Sequence, residues 1–175
     1  MPSSYIITFI GDDRPGLVEQ LSQVIEDNQG NWHESRLSQL GGKFAGLILV
    51  SLPQSNGDAL ETQLKGLSAS GLSVRVTPAV EGFSIDVATR INLTVLGPDR
   101  LGIVREISRA LAQRQVNVIE MDSEVSSAPM SGEMLFKASI EAEIPQSLAL
   151  DELNDTLDEI ANQMTLDIEL EPAAS

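Results

Sequence analysis

The most informative absence in this sequence is that of cysteine. The 175 residues include no cysteine, and only one histidine, one tryptophan, one tyrosine and four phenylalanines. Without cysteine the chain forms no disulfide and offers no thiol nucleophile or thiolate metal ligand. With so few aromatic residues, a globular core has to be built from Leu, Ile and Val. The apolar fraction of 42% is enough for such a core, so the sequence predicts a folded protein.

Positive charge is also scarce, since 11 Lys and Arg residues stand against 26 Asp and Glu residues, for a net charge of −15. Such a surface repels nucleic-acid phosphates and anionic lipids, which argues against direct binding to nucleic acid or membranes. No apolar run approaches the roughly 18 residues of a membrane-spanning helix. Residues 1–13 lack the basic and apolar regions of a signal peptide. The sequence therefore predicts a soluble, cytoplasmic protein.

One motif occurs twice, 86 residues apart. The sequence GDDRPGLVEQ begins at Gly11, and GPDRLGIVRE begins at Gly97. In each copy a run typical of a strand precedes the motif, and apolar residues spaced by four follow it, which predicts a helix. Two strands, a second helix and a last strand then complete each copy. The order β-α-β-β-α-β is that of the ferredoxin-like fold.

The apolar residues of the segment 136–144 alternate with polar ones, which indicates a sheet with one face on the core and one in water. We therefore predict an α+β protein with two tandem ferredoxin-like domains, each an antiparallel sheet with its helices on one face. The predicted domains are residues 1–80 and 89–175, joined by a linker at 81–88. The run LILV at 47–50 is apolar on both faces, which suggests that the other copy of the repeat or a second chain covers it.

The repeated motif lies where a strand ends and a helix begins, so free backbone N–H groups collect there. Asp13 and Asp99 are expected to cap these helices. Gly16 and Gly102 would each weaken a first helical turn, since glycine is a poor helix former. Their recurrence suggests that something approaches the backbone closely, either another loop or the carboxylate of a small ligand.

Two further residue types recur with the motif. Arg14 and Arg100 either pair with a bound anion or simply face solvent. Asn31 and Asn117 begin the following strand, and their amide groups both donate and accept hydrogen bonds. They fit either a ligand that has an ammonium and a carboxylate group or an ordinary turn before a strand.

The residues do not predict catalysis. His33 is the only histidine, and Ile119 occupies the corresponding place in the second copy. No motif marks a nucleophile, an EF-hand, a zinc site or a phosphate-binding loop. We therefore predict that the chain is not an enzyme and that it needs no cofactor or metal.

The motif D-R-x-G-[LI]-V at the first strand–helix turn of a β-α-β-β-α-β unit resembles the ACT domain, a family of small regulatory modules that bind amino acids. The resemblance covers residues 4–80 and 89–171 and implies a ligand at this turn, often at an interface between two units. The implied sites consist of Gly11, Asp12, Asp13, Arg14, Pro15, Gly16 and Leu17 with Asn31, and of Gly97, Pro98, Asp99, Arg100, Leu101, Gly102 and Ile103 with Asn117.

A chain filled by two ACT domains also resembles the glycine cleavage system transcriptional repressors. That resemblance implies a regulator that responds to glycine through contact with a DNA-binding transcriptional activator, and it allows a homodimer. A regulatory subunit or interaction module for an enzyme of amino-acid metabolism remains the alternative. Since Trp32 follows Asn31, its fluorescence is expected to report on the first site.

Overall fold

The computed structural model describes residues 1–82 and 89–173. The chain divides into two compact units, Met1–Phe83 (unit 1) and Ser84–Ser175 (unit 2). The predicted linker at 81–88 lies, apart from its first two residues, outside the described residues, and the predicted domain boundaries stay a prediction. No helix in the described part of the chain is long and apolar enough to cross a membrane.

Each unit has the predicted order of elements. In unit 1 they are β1 (Pro2–Asp12), α1 (Leu17–Asp27), β2 (Asn31–Leu40), β3 (Lys43–Pro53), α2 (Gly57–Gly66) and β4 (Ser73–Pro78), with short 3₁₀ turns on either side of α2. In unit 2 they are β5 (Thr89–Pro98), α3 (Ile103–Gln113), β6 (Asn117–Ser127), β7 (Met134–Ile144), α4 (Leu150–Met164) and β8 (Asp167–Pro172).

Both sheets are antiparallel and have the same strand order, β2-β3-β1-β4 and β6-β7-β5-β8. The first strand of each unit is therefore central, and the strand after the first helix lies at an edge. This topology confirms the prediction of two ferredoxin-like domains. It also places the strand–helix turn of each unit at one end of its sheet.

The core of each unit lies between one face of its sheet and the apolar stripes of its helices. In α1, Leu17, Leu21 and Ile25 recur every four residues and are all buried. In β7, Phe136, Ala138, Ile140, Ala142 and Ile144 are buried, while the residues between them are partly or fully exposed. Burying each Leu or Ile contributes roughly 1.5–3 kcal/mol, so these two periodic patterns specify which faces meet.

The run at 47–50 is divided between the two faces of its sheet. Ile48 and Val50 are buried in the core, whereas Leu47 on the other face is 48% exposed. The idea that the other copy of the repeat or a second chain covers this face stays a prediction.

Candidate functional site

The repeated motif adopts the same backbone conformation in both units. Gly16 and Gly102 immediately precede the helices, each with φ 91° and ψ 0°. Their carbonyl oxygens accept the first helical hydrogen bonds, from the N–H of Gln20 at 3.0 Å and of Glu106 at 2.9 Å. The N–H groups of the residues between have no acceptor within the helix. Each turn thus presents free donors at the positive end of a helix dipole, an arrangement that suits a carboxylate.

The motif aspartates do not cap these helices, so that prediction is wrong. The capping position is a glycine in both units, and no side chain caps either helix. Instead, the backbone N–H of Asp13 donates to the Gly42 carbonyl oxygen at 3.0 Å, and that of Asp99 to the Met134 carbonyl oxygen at 2.8 Å. The Asp13 carboxylate also accepts a hydrogen bond from the Gln39 amide at 2.5 Å. The aspartates therefore tie each turn to the neighbouring β-hairpin.

The glycines before the helices are explained by conformation and not by a close neighbour within the unit. A Cβ atom at Gly16 or Gly102 would have no described atom within 4 Å, but a φ of 91° strains any L-residue. A close neighbour is found instead at the first glycine of each motif, Gly11 or Gly97. A Cβ on Gly97 would lie 2.8 Å from the Thr165 carbonyl oxygen, and one on Gly11 would lie 2.9 Å from the nearest side-chain atom.

In unit 1 the turn borders an open depression of about 300 Å³. Arg14 is fixed beside it, because one guanidinium nitrogen donates to the Gln20 side-chain oxygen at 3.0 Å and to the Ser70 carbonyl oxygen at 3.5 Å. The depression thus combines one guanidinium group, two carboxylates and an aromatic ring. Its lining consists of Asp13, Arg14, Gly16, Leu17, Val18, Glu19 and Phe44.

Asp12 does not line this depression, although it belongs to the predicted site. It lies at the end of β1 opposite Lys43 of β3, and the two side chains form an ion pair. The hydrogen bond and the positive charge of Lys43 lower the pKa of the Asp12 carboxyl group. Both side chains are mostly exposed, so the pair joins two strand ends at the surface.

The turn of unit 2 keeps the backbone but changes the chemistry. The predicted residues Gly97 to Ile103 all lie at this turn, and Leu101 at its tip is 98% exposed. Pro98 occupies the place of Asp12, so the ion pair with a following strand is lost. Arg105 occupies the place of Glu19 and Glu106 that of Gln20, so the charges on the first turn of the helix differ between the units. The two turns are therefore not chemically equivalent.

The structure does not bring the asparagines to the turns of their own units. Asn31 lies opposite Ser51 of β3, whereas the end of β1 lies opposite Lys43, eight residues away along the same strand. Eight residues of a strand span roughly 26 Å. Asn117 is displaced from its turn in the same way. Trp32 lies beside Asn31 and packs on the core of unit 1, so its fluorescence does not directly probe the turn.

Three residues of the depression were absent from the predicted set: Val18, Glu19 and Phe44. Phe44 could have been found from the sequence, because Phe136 occupies the corresponding place in the second copy. Each phenylalanine lies opposite the first glycine of its motif. Val18 and Glu19 directly follow the predicted residues on the first turn of the helix.

The single histidine lies away from the turn, at a bulge in β2. His33 Nε2 and the Ser51 hydroxyl are 2.7 Å apart, and both lie near the end of the sheet that holds Asn31. Within residues 1–82 and 89–173, no group of three or more His, Asp or Glu side chains is arranged to hold a metal ion.

Comparison with known proteins assigns both units of the repeat to the same domain family. Two family models for the ACT domain match the chain, one over residues 3–77 and the other over residues 91–158. A protein of unknown function from Galdieria sulphuraria has a similar structure, with a TM-score of 0.90 and 28% sequence identity over 99% of this chain and 100% of that chain.

A second solved structure, provisionally assigned as a glycine cleavage system transcriptional repressor, has a TM-score of 0.72 and 22% identity. The match covers 100% of this chain and 99% of that chain. At this identity the likeness shows the fold alone. No protein of curated function matches the sequence.

Proposed function

Because this chain belongs to the ACT-domain family, we propose that it is a non-enzymatic regulatory protein that senses a small amino acid, with glycine as the favoured ligand. The family supports amino-acid sensing in general. The choice of glycine follows from the likeness to a structure provisionally assigned as a glycine cleavage system repressor. The predicted cytoplasmic location belongs to the same proposal.

The depression of unit 1 is the observation that carries the proposal, because its groups match the two charges of a free amino acid. The ligand carboxylate would accept hydrogen bonds from the free N–H groups of α1, next to the Arg14 guanidinium. The ligand ammonium would lie near Asp13 and Glu19, which line the same depression. Phe44 and Val18 supply apolar surface on which a small side chain can rest.

Asn31 and Asn117 enter the proposal through another ACT unit. Each lies roughly 26 Å from the turn of its own unit, so it would reach a bound ligand at the turn of a different unit, either in the same chain or in a second copy. Of these two arrangements we propose the second, a homodimer. Sedimentation of the protein with and without glycine tests this part separately from binding itself.

The proposed output is a change in contact with a DNA-binding transcriptional activator, which makes the chain a repressor that glycine relieves. The net charge of −15 is consistent with an action through protein contact and not through DNA. A ligand shifts such a contact only by its difference in affinity for the two states. A coupling of roughly 1–3 kcal/mol is enough for a regulatory response.

Calorimetric titration of the whole protein with glycine, and then with serine and other amino acids, tests the sensor. We expect binding by the wild type and a loss of about tenfold or more in affinity for Arg14→Ala, since a charge-assisted contact is worth about 1.5–3 kcal/mol. The matched control is Arg75→Ala, because Arg75 is an exposed arginine of the same unit that does not line the depression. If no amino acid binds at millimolar concentration, the sensor proposal fails.

Affinity purification in the presence and absence of glycine tests the output. We expect a DNA-binding activator to be retained without glycine and released by it. Retention of an enzyme of amino-acid metabolism in place of an activator would contradict the repressor proposal and leave amino-acid sensing intact.

A further inference from the structure

The outer face of the unit 1 sheet, which is the face turned away from the helices, is apolar at its centre. Ile6 and Ile10 of β1 and Ala45, Leu47 and Leu49 of β3 point outward, because they alternate with residues that face the core. Ile10 is 50% exposed and Leu47 is 48% exposed, and the other three are partly exposed. A cluster of exposed apolar side chains on one face is typical of a protein interface.

The sheet of unit 2 shows that the fold does not require this apolar face. The positions that match the five apolar residues hold, in the same order, Asn92, Leu96, Lys137, Ser139 and Glu141. Only one of these five is apolar, although the strand order of the two sheets is the same. The apolar outer face is therefore a property of unit 1, separate from the stability of a single ferredoxin-like unit.

The charges on this face are few and largely balanced. Arg36 of β2 lies opposite Leu47, and Arg75 of β4 lies opposite Thr8, so the two arginines flank the apolar centre. Glu34, the neighbouring outward residue of β2, pairs with Arg36 at 2.9 Å. In a chain with a net charge of −15, this is a face on which a second copy meets little electrostatic repulsion.

The outer face of unit 2 is a poor cover for the apolar centre, whether in the same chain or in another. Its outward residues are mostly acidic and include Glu120, Asp122, Glu124, Glu141, Glu143, Asp167, Glu169 and Glu171. Arg36 and Arg75 can pair with such residues. Ile10 and Leu47, however, would take carboxylates out of water without giving them a partner, which is costly.

We propose that the outer sheet face of unit 1 is an interface between two copies of this chain, which stack sheet on sheet around a two-fold axis. The axis runs across the strands, midway between the level of Glu34 and that of Arg36. It lays β3 on the partner's β3, so that Leu47 contacts the partner's Leu49. It also lays Glu34 on the partner's Arg36, which joins the two ion pairs into one cluster of four alternating charges.

The size of the face predicts a weak dimer. Four strands about 4.8 Å apart, each contributing about six residues, cover roughly 20 Å by 20 Å. The resulting area of roughly 400 Å² per copy is about half of what a stable interface buries on each partner. We therefore expect a monomer–dimer equilibrium that depends on concentration. The inference rests on the proposed function only in sharing its homodimer, because Phe44 and the depression that it lines lie on the helix side of the sheet.

Sedimentation equilibrium of the whole protein over a dilution series measures this association. The variant Leu47→Ser/Leu49→Glu gives unit 1 the residues that unit 2 has at the same places, so the sheet should tolerate it. We expect its dimer dissociation constant to rise about tenfold or more. Met130→Ser is the control, because it removes a fully exposed apolar side chain of unit 2 and should leave the constant within about twofold. Unfolding followed by Trp32 fluorescence verifies that unit 1 of the variant is folded.

Charge complementation between two variants tests the orientation. Arg36→Glu and Glu34→Arg each place like charges at both positions, so each homodimer should be weakened about tenfold or more. Mixed together, the two should form a heterodimer more tightly than either forms a homodimer, because opposite charges then face each other across the axis. Arg109→Glu, at an exposed position of α3, makes the same change in net charge as Arg36→Glu and should not form that heterodimer with Glu34→Arg.

A wild type that stays monomeric at all concentrations, a dimer that Leu47→Ser/Leu49→Glu leaves intact, or no preference for the heterodimer would overturn the proposal. Loss of the dimer in Asp122→Lys/Glu169→Lys would overturn it in favour of packing on the acidic face of unit 2. Glycine titration of Leu47→Ser/Leu49→Glu separates this proposal from the sensor. If the dimer behaves as expected and no amino acid binds, the interface stands and the sensor proposal fails; if glycine binds a monomeric wild type, the interface fails and sensing stands.

Discussion

Replacement of Gly16 by alanine tests the most specific structural reason for the repeated motif. Gly16 has φ 91°, and its missing Cβ faces open space. The expected loss is therefore purely conformational, about 1–2 kcal/mol for an L-residue forced into the left-handed region. Gly66 is the matched control, because it lies in the same unit at the end of α2 with φ −60° and also has nothing near its Cβ position. Gly66→Ala should be stabilising by about 0.5–1 kcal/mol.

Urea unfolding followed by the fluorescence of Trp32 measures both effects in unit 1, since this single tryptophan packs on that unit's core. With an m-value of about 1 kcal/mol/M for a small domain, Gly16→Ala should lower the unfolding midpoint by about 1–2 M. Gly66→Ala should raise it. A neutral Gly16→Ala, or shifts of the same sign in both variants, would refute the assignment of this glycine to backbone conformation.

Three further variants test contacts of the two units. Lys43→Ala should raise the pKa of Asp12 towards its ordinary value of 3.8, as measured by NMR titration. Because the pKa of Asp12 is lowered in the folded protein, the ion pair stabilises the fold above pH 3.8, and this stabilisation is lost as the pH falls through the lowered pKa. Gly97→Ala should destabilise unit 2 by about 1–3 kcal/mol in calorimetric unfolding, because the new Cβ would meet the Thr165 carbonyl oxygen. Leu153→Ala, at a fully buried position of α4, should cost about 2–5 kcal/mol by the same measurement.

The elements of both units could be predicted from the sequence because two copies of one pattern constrain each other. The helix after each motif was predicted from apolar residues spaced by four, and these are the residues that α1 and α3 bury. The alternation at 136–144 predicted a one-sided strand, and β7 has that form. Periodicity reports which side of an element faces the core, and in this chain that signal is strong.

The site was less predictable, because periodicity does not report which ends of strands meet. Asn31 follows the motif closely in sequence, but α1 carries the chain back along the sheet before β2 begins. Since β1 and β2 both pair antiparallel with β3, they run in the same direction. Asn31 therefore lies at the end of the sheet where β1 starts, while Phe44 from the next hairpin lies beside the turn.

The aspartates show a second limit of sequence reasoning, one of local geometry. A capping residue has to lie directly before the helix, yet Asp13 lies three residues before Gly16, the capping position. A glycine with φ 91° turns the chain into the helix and leaves the aspartate facing the β-hairpin, where Gln39 donates to its carboxylate. Aspartate and glycine both occur at the N-cap position of helices, and the motif contains both. Only the backbone conformation shows that glycine occupies this position in α1 and α3.

The divergence between the copies follows from what each part of the motif does. The glycines fix a backbone that both units need in order to pass from strand to helix, so both units have them. The side chains around the turn are free of that constraint, and there Glu19 in unit 1 corresponds to Arg105 in unit 2. A depression with two carboxylates and one guanidinium suits a zwitterion, whereas the turn of unit 2 has a second cation, Arg105, and carries its helix carboxylate one residue later, at Glu106, so it does not offer the same arrangement of charge. A calorimetric stoichiometry of one glycine per chain, abolished by Arg14→Ala and retained in Arg100→Ala, is therefore the expected outcome; two equivalent sites would show that the shared backbone alone determines binding.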